Sequence, residues 1–326
     1  MRSPPQLATS YSTVSADDLL EQVVCDYRID TPLQCLFWAR GANDTYEVRC
    51  ADARYSLRVY RSGAFPREAI EFEAETLNYL HQQGASVAYP IARKSGEFLS
   101  EILAPEGPRF VLLTAFVGGT TPDYESLENC RLVGESVAQM HLASSGFETS
   151  RKRPRLDLQS LLEDSLVTIR LHLTHRPDVL SFIENIVQDA RAAVQEVAEG
   201  SLDTGICHGD LHGYNLHLHE GRITHFDFEE CAVGYRVYDL ATFKWGVCMG
   251  ARRTKRWPAF VEGYESIRPI AKPDLSLVDT FVIIRDLSNI AYGMRNVNDF
   301  GHEMNSEGNI DDLCRQLQKL LEIETT

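Results

Sequence analysis

Residues 206–229 read Ile206-Cys207-His208-Gly209-Asp210-Leu211-His212-Gly213-Tyr214-Asn215-Leu216-His217-Leu218-His219-Glu220-Gly221-Arg222-Ile223-Thr224-His225-Phe226-Asp227-Phe228-Glu229. Loop and strand alternate in this stretch. Leu216-His217-Leu218 and Arg222-Ile223 flank a Glu220-Gly221 turn, which is the signature of a short hairpin. Asp210 and Asn215 stand five positions apart, and a second carboxylate, Asp227, follows the hairpin. Such a set suits phosphoryl transfer from a nucleotide. One carboxylate orients an incoming hydroxyl and accepts its proton, while an amide oxygen and another carboxylate hold Mg²⁺ on the phosphates.

Upstream of this block, residues 36–60 alternate apolar and polar side chains in three runs, LFWAR, YEVRC and YSLRVY, broken at GANDT and ADAR. That pattern predicts an antiparallel meander. A short amphipathic helix over 16–27 precedes it. The period turns helical from Pro66 to Gly84, where a glycine ends it. Further strands are expected at Val87–Ile91, Glu97–Ile102 and Phe110–Phe116. Beyond Gly118-Gly119 the texture is helical, with helices expected over Ser126–Ala143, Leu156–Thr174 and Val179–Gly200 and in the tail. The expected fold class is α+β and bilobal: a small, mainly β lobe over 1–116 carrying one key helix, a hinge at 114–119, and a larger, mainly α lobe over 117–326.

The kinase pattern H-R-D-L-x-x-x-N followed by D-F-G lines up with His208-Gly209-Asp210-Leu211-His212-Gly213-Tyr214-Asn215 followed by Asp227-Phe228-Glu229. With Gly209 in place of Arg, His212 inside the motif and Tyr238-Asp239-Leu240-Ala241 after it, the chain resembles the aminoglycoside phosphotransferase and choline kinase superfamily, whose fold is protein-kinase-like. Phe260-Val261-Glu262-Gly263-Tyr264 with Arg268-Pro269 resembles its branch of type II homoserine kinases and bacterial stress-response kinases. The similarity runs from about residue 38 to the end and is strongest over 206–243. It implies Asp210 as catalytic base, His208 as a brace of the catalytic loop, and Asn215 and Asp227 as Mg²⁺ ligands. Glu229, where protein kinases have glycine, would assist the metal or bond to the loop. Asp239 would cap a helix and scaffold the catalytic loop.

The amino-terminal region offers a separate check, because a kinase-like site needs a strand cation on the nucleotide phosphates and a helical glutamate to orient it. Ile70, Glu73, Leu77 and Leu80 fall on one helical stripe, and Glu73 is its single acid. An unpaired acid there would cost several kcal/mol, so Arg58 on the neighbouring strand is the expected partner. The resembled family usually has lysine here, and arginine occurs in this branch. Asn43, in the Gly41–Thr45 turn, would lie where a loop covers the phosphates. Backbone groups from Thr114 to Val117, Phe116 among them, would read the edge of the adenine of ATP.

Composition narrows the rest. Lys+Arg 32 against Asp+Glu 47 gives a net charge of −15, which opposes binding to nucleic acid. No run of 18 apolar residues and no signal-peptide pattern occur, so the expectation is a cytoplasmic protein without a membrane partner. The eight cysteines contain no C-x-x-C pair and read as buried hydrophobes or free thiols. The histidines of 208–225 lack the spacing of a zinc site, and His217 is expected on a solvated face. Gly209-Asp210-Leu211-His212-Gly213 also fits the G-D-x-H-G signature of two-metal phosphoesterases, but their G-D-x-x-D-R and G-N-H-E segments are missing.

Eleven residues separate Asp227 from Asp239 and no A-P-E follows, which leaves no room for a protein-kinase activation segment. A small-molecule hydroxyl acceptor is therefore expected, with a Ser/Thr protein kinase of the stress-response type or a silent pseudokinase as alternatives. Asp286, Asn289 and Tyr292 share a helical face in the tail, and with Trp245 they could seat an amine-bearing alcohol, amino acid or aminoglycoside-like acceptor. The alternative is ordinary helix packing, with Arg285 paired to a neighbour.

Overall fold

The computed structural model describes residues 7–153, 155–197, 200–249 and 255–324. Helix α1 (Ala16–Gln22) precedes β1 (Gln34–Arg40), β2 (Asp44–Arg49), β3 (Arg54–Val59), α2 (Arg67–Gln82), β4 (Leu99–Ala104) and β5 (Gly107–Ala115). Helices α3 (Leu127–Ala143), α4 (Asp164–His172) and α5 (Pro177–Glu196) lead to short strands β6 (Thr204–Cys207), β7 (Leu216–His219), β8 (Arg222–His225) and β9 (Ala232–Tyr235). Then come α6 (Val237–Phe243), α7 (Arg256–Ile267), α8 (Lys272–Ser276), α9 (Val278–Arg295), α10 (Val297–Phe300) and α11 (Glu307–Glu324).

The fold is α+β, with one mainly β and one mainly α compact unit. The first takes the chain up to Thr120 together with Gly146–Arg153 and His217–Glu229; the second takes Thr121–Ser145, Pro154–Leu216 and the chain from Glu230 onward. Where the sequence suggested one cut at 116/117, two later segments return to the first unit.

In the first unit the five strands form an antiparallel sheet in the order β1-β2-β3-β5-β4. Because side chains alternate across a strand, Tyr46, Val48, Leu57, Val59, Val111 and Leu113 all reach one face, where they are buried with Leu19, Val24 and Tyr27. Each such side chain contributes roughly 1.5–3 kcal/mol of burial. Arg58, opposite Thr45 on one side and Leu112 on the other, belongs to the opposite face. Leu112 packs there with Ile70 and Ala74 of α2, so the helix lies against the face that carries Arg58. Val87–Ile91 is not a strand. It makes only isolated bridges, Val87 to His225 and Pro90 to Thr114, and Pro90 has no N–H to extend a ladder.

The second unit is built around α9. Residues Val278, Thr280–Leu287, Ile290 and Ala291 of this helix are all buried, packed among α4, α5, α6 and α11. A helix buried over most of its length leaves Arg285 and Asp286, 8% and 1% exposed, almost no solvent. Arg285 and Asp286 must therefore find partners inside the protein.

Candidate active site

In the first unit, β3 delivers Arg58 and the inward stripe of α2 delivers Glu73, 2% exposed. Arg58 Nη1 lies 3.2 Å from Glu73 Oε1, and the Tyr60 hydroxyl donates to Glu73 Oε2 at 2.8 Å. Arg58 Nη2 reaches Asp227 Oδ1 at 2.7 Å, and Nη1 lies 3.8 Å from Glu229 Oε2. The expected pair is thus one guanidinium facing three carboxylates. Burial pushes the Glu73 carboxyl above its ordinary value, against the pull of Arg58, Arg153 and the Tyr60 hydroxyl. Burial works against the charge on Arg58 too, but Asp227, Tyr60 and the two glutamates outweigh it and hold that charge firmly. Asp227 has a left-handed backbone, φ 67°, a conformation that aspartate tolerates better than most residues and that often marks a working site.

We expect Arg58→Ala and Glu73→Ala to weaken Mg-ATP binding by overlapping amounts. A double-mutant cycle should show a coupling of about 0.5–3 kcal/mol; full additivity would mean that the contact has no role in binding.

Asn43 is buried and committed at both ends. Its amide nitrogen donates to Glu229, and its oxygen accepts from the Arg61 amide at 2.8 Å. The Gly41–Thr45 turn therefore has backbone, not the Asn43 side chain, to offer a phosphate. Arg153 is a residue the sequence did not single out. It donates to the carbonyls of Ala69 in α2, at 2.8 Å, and of Glu229, tying the helix of Glu73 to the loop of Asp227. Thr114 donates to the Ser56 carbonyl at 3.4 Å, and the Phe116 ring carries the Arg54 guanidinium 4.1 Å from its centroid. His217 is half-buried rather than solvated, edge-on to Phe226 at 4.8 Å.

In the second unit, Asp239 organises the loop that follows β6. Its Oδ2 accepts from the His208 amide at 2.7 Å and its Oδ1 from the Gly209 amide at 2.9 Å. It is a scaffold, as expected, but it lies within the first turn of α6 and does not cap it. Burial works to raise the Asp239 carboxyl, but His141, His208 and the Gly209 amide outweigh it and hold it below the usual range. His208, fully buried, accepts from the Asp210 amide at 3.3 Å and so braces the loop.

Asp210 is held at both oxygens. Asn215 Nδ2 donates to Oδ2 at 3.0 Å and to the Asp210 carbonyl at 2.9 Å, while Arg285 pairs with Oδ1. Burial opposes the charge, yet Arg285, His212 and His208 prevail and keep the carboxyl below its ordinary value. Because the Asn215 nitrogen faces two acceptors, its oxygen is the atom left to meet a cation.

Beneath Asp239 lies His141, with Nε2 3.0 Å from Asp239 Oδ2 and Nδ1 2.9 Å from the Tyr264 hydroxyl. Burial holds this imidazole below its ordinary value despite Asp239. The folded protein keeps it neutral, while the unfolded chain takes up a proton near pH ~6.5. The stability it contributes is fully present above about that pH and is lost as the pH falls toward the lower folded value. The thermal midpoint should therefore drop on acidification from about pH 7 to about pH 5.5, and His141→Gln should flatten that drop. Equal slopes in variant and wild type would contradict this.

The expected acceptor seat is filled by the protein itself. Asp286 is 1% exposed and accepts from the Trp245 indole N–H at 2.8 Å and from Gln316. The face of Trp245 carries the Arg285 guanidinium, 5.5 Å from the ring centroid. Tyr292 lies further along α9, half-buried. Asp286 is consequently not an open acid beside bare aromatic rings, and burial pushes its carboxyl up against the bonds from Trp245 and Gln316.

Residues 36–269 match the model of the phosphotransferase enzyme family, APH. The chain belongs to this family. An uncharacterized protein of Synechocystis is 35% identical over 263 residues, spanning 80% of this chain and 73% of its own. A homoserine kinase of Neisseria meningitidis is 26% identical over 275 residues, covering 83% of this chain and 85% of that one. Among solved structures, the amicoumacin kinase hAmiN in complex with AMP-PNP, Ca²⁺ and Ami superposes with a TM-score of 0.77 at 19% identity, covering 93% of this chain and 92% of that one. A microcompartment-associated aminopropanol kinase gives 0.71 at 21% identity, covering 93% and 95%. These likenesses place the fold with the kinase-like phosphotransferases.

As a member of the phosphotransferase enzyme family the chain is a kinase-type enzyme, and its donor atoms suit the cation such chemistry uses. The Asn215 amide and the Asp227 carboxylate, one in each unit, are each hard oxygen donors, and within the first unit the three acids around Arg58 leave an excess of negative charge that a divalent ion would relieve. Among the described residues no group of three or more His, Cys, Asp or Glu is arranged to hold a metal by itself. Mg²⁺ needs no such cage, since it takes one or two carboxylates and completes its shell with phosphates and water. No helix among the described residues is long and apolar enough to cross a membrane.

Proposed function

We propose that this phosphotransferase moves the γ-phosphoryl group of ATP, with Mg²⁺, to a hydroxyl of a small amine-bearing molecule in the cytoplasm. The observation that carries the reading is Asp210. It is a carboxylate kept ionised, fixed at both oxygens, on a loop whose backbone Asp239 holds. Asp210 would orient the acceptor hydroxyl and take its proton. Arg58, set by Glu73, would hold the nucleotide phosphates; Asn215 and Asp227 would be the ligands of Mg²⁺, and Glu229 would assist the metal or bond to its loop; the main chain around Thr114 and Phe116 would meet the adenine. When bound, the metal would neutralise charge on the phosphates, and most of the rate would come from position and charge.

An amine-bearing acceptor, whether amino alcohol, amino acid or aminoglycoside-like, is supported by the relatives' names, homoserine kinase and aminopropanol kinase. ATP consumption should be measured with amino alcohols, hydroxy amino acids and aminocyclitols beside a generic protein. Turnover is expected with at least one of the small compounds. Phosphate on protein Ser/Thr, with none on any small alcohol, would overturn the reading.

A further inference from the structure

In the kinase pattern an arginine immediately precedes the catalytic aspartate, and here that position is Gly209. The structure shows why no arginine can stand there. Gly209 has φ 84°, and a Cβ on it would run into the carbonyl of Glu230. The loop therefore carries no arginine at this position.

A cation arrives from α9 instead. Arg285, 76 positions after Gly209, donates through Nη1 to the Gly209 carbonyl at 3.4 Å and to the Tyr238 hydroxyl at 3.3 Å, and through Nη2 to Asp210 Oδ1. Its guanidinium lies over Trp245, whose indole nitrogen is pinned by Asp286 at 2.8 Å. Asp286 is pinned in turn by Gln316 of α11. Two directions of the planar fork are in use at once, which the single point charge of a lysine cannot supply. The opposite Asp210 oxygen accepts from Asn215, so the plane of the carboxylate is set from both edges.

We infer that Arg285 is the positioning residue of Asp210: from a helix remote in sequence it fixes the carboxylate that receives the acceptor's proton, and Trp245 and Asp286 serve as its seat rather than as the acceptor's. This rests on the reading of Asp210 as the base, and the test keeps the two apart.

Arg285→Ala, Arg285→Lys and Asp210→Asn would be assayed with Mg-ATP and two acceptors, 1-amino-2-propanol and L-homoserine, and for ATP hydrolysis without acceptor. Arg285→Ala should lower kcat on the order of 10- to 100-fold with the KM for ATP within about twofold, the pattern of an interaction realised at the reacting centre. Arg285→Lys should recover little of it. Guanidinium ion should restore part of the rate to Arg285→Ala and none to Asp210→Asn. Should Arg285→Ala fail to fold, Arg285→Lys carries the test, with a thermal midpoint near wild type and a lowered kcat expected. Wild-type kcat in either Arg285 variant, or a loss that guanidinium does not relieve and that follows a fall in thermal midpoint, would overturn the inference while leaving the base standing. Wild-type turnover in Asp210→Asn would instead remove the reading beneath it.

Discussion

Replacing Asp210 with alanine is expected to lower turnover by about two orders of magnitude or more, the usual scale of a general base, with nucleotide affinity little changed. The separation is expected because Asn215, assigned to the metal, keeps its bond to the Asp210 main-chain carbonyl in the variant. Asp210 is bonded to Asn215, Arg285 and the His208 ring, while the cation assigned to the nucleotide phosphates, Arg58, takes its carboxylate partners from Glu73, Asp227 and Glu229. Asp210→Asn refines the test, since it keeps the size and loses the charge. Steady-state kinetics beside a nucleotide titration would check both, and turnover within a few-fold of wild type would remove Asp210 from the mechanism.

The second large effect is expected at Asp227. Asparagine is the informative replacement, because the backbone is left-handed at φ 67° and asparagine accepts that conformation where alanine pays a steric penalty. Asp227→Asn should abolish the rise in thermal midpoint that Mg-ATP produces; for wild type that rise corresponds to about 2.7 kcal/mol at a ligand concentration about 100 times Kd. Without ligand the variant should melt at or above the wild-type temperature, since one of three acids crowding Arg58 has lost its charge. An undiminished Mg-ATP shift would mean that Asp227 holds no metal.

Arg58 and Glu73 were legible in the sequence because each stands out against a regular period: a cation on an alternating strand, and the one acid on an apolar helical stripe. The contact between Asp210 and Asn215 was legible because five positions on one short loop bring the two together. What escaped was long-range. Arg285 meets Asp210 across 75 positions and Arg153 meets Glu229 across 76, and no local period encodes either contact. At Asp286 the packing alternative matches the contacts, since its carboxylate is bonded to Trp245 and Gln316. Its helix is apolar nearly all round, from Phe281 to Ile284 and again at Leu287 and Ile290, which signals a buried helix whose acid is bonded internally rather than one with a face turned to a ligand. The return of residues 146–153 and 217–229 to the first unit likewise has no marker in composition.

The most direct measurement of the central claim is phosphorus NMR of ATP incubated with the protein, Mg²⁺ and the small-acceptor panel. The γ-phosphate should reappear as a phosphomonoester of a small hydroxyl compound, dependent on Mg²⁺ and absent with Asp210→Asn. Its appearance only as inorganic phosphate or only on protein, or a phosphomonoester that persists in Asp210→Asn, would contradict the account.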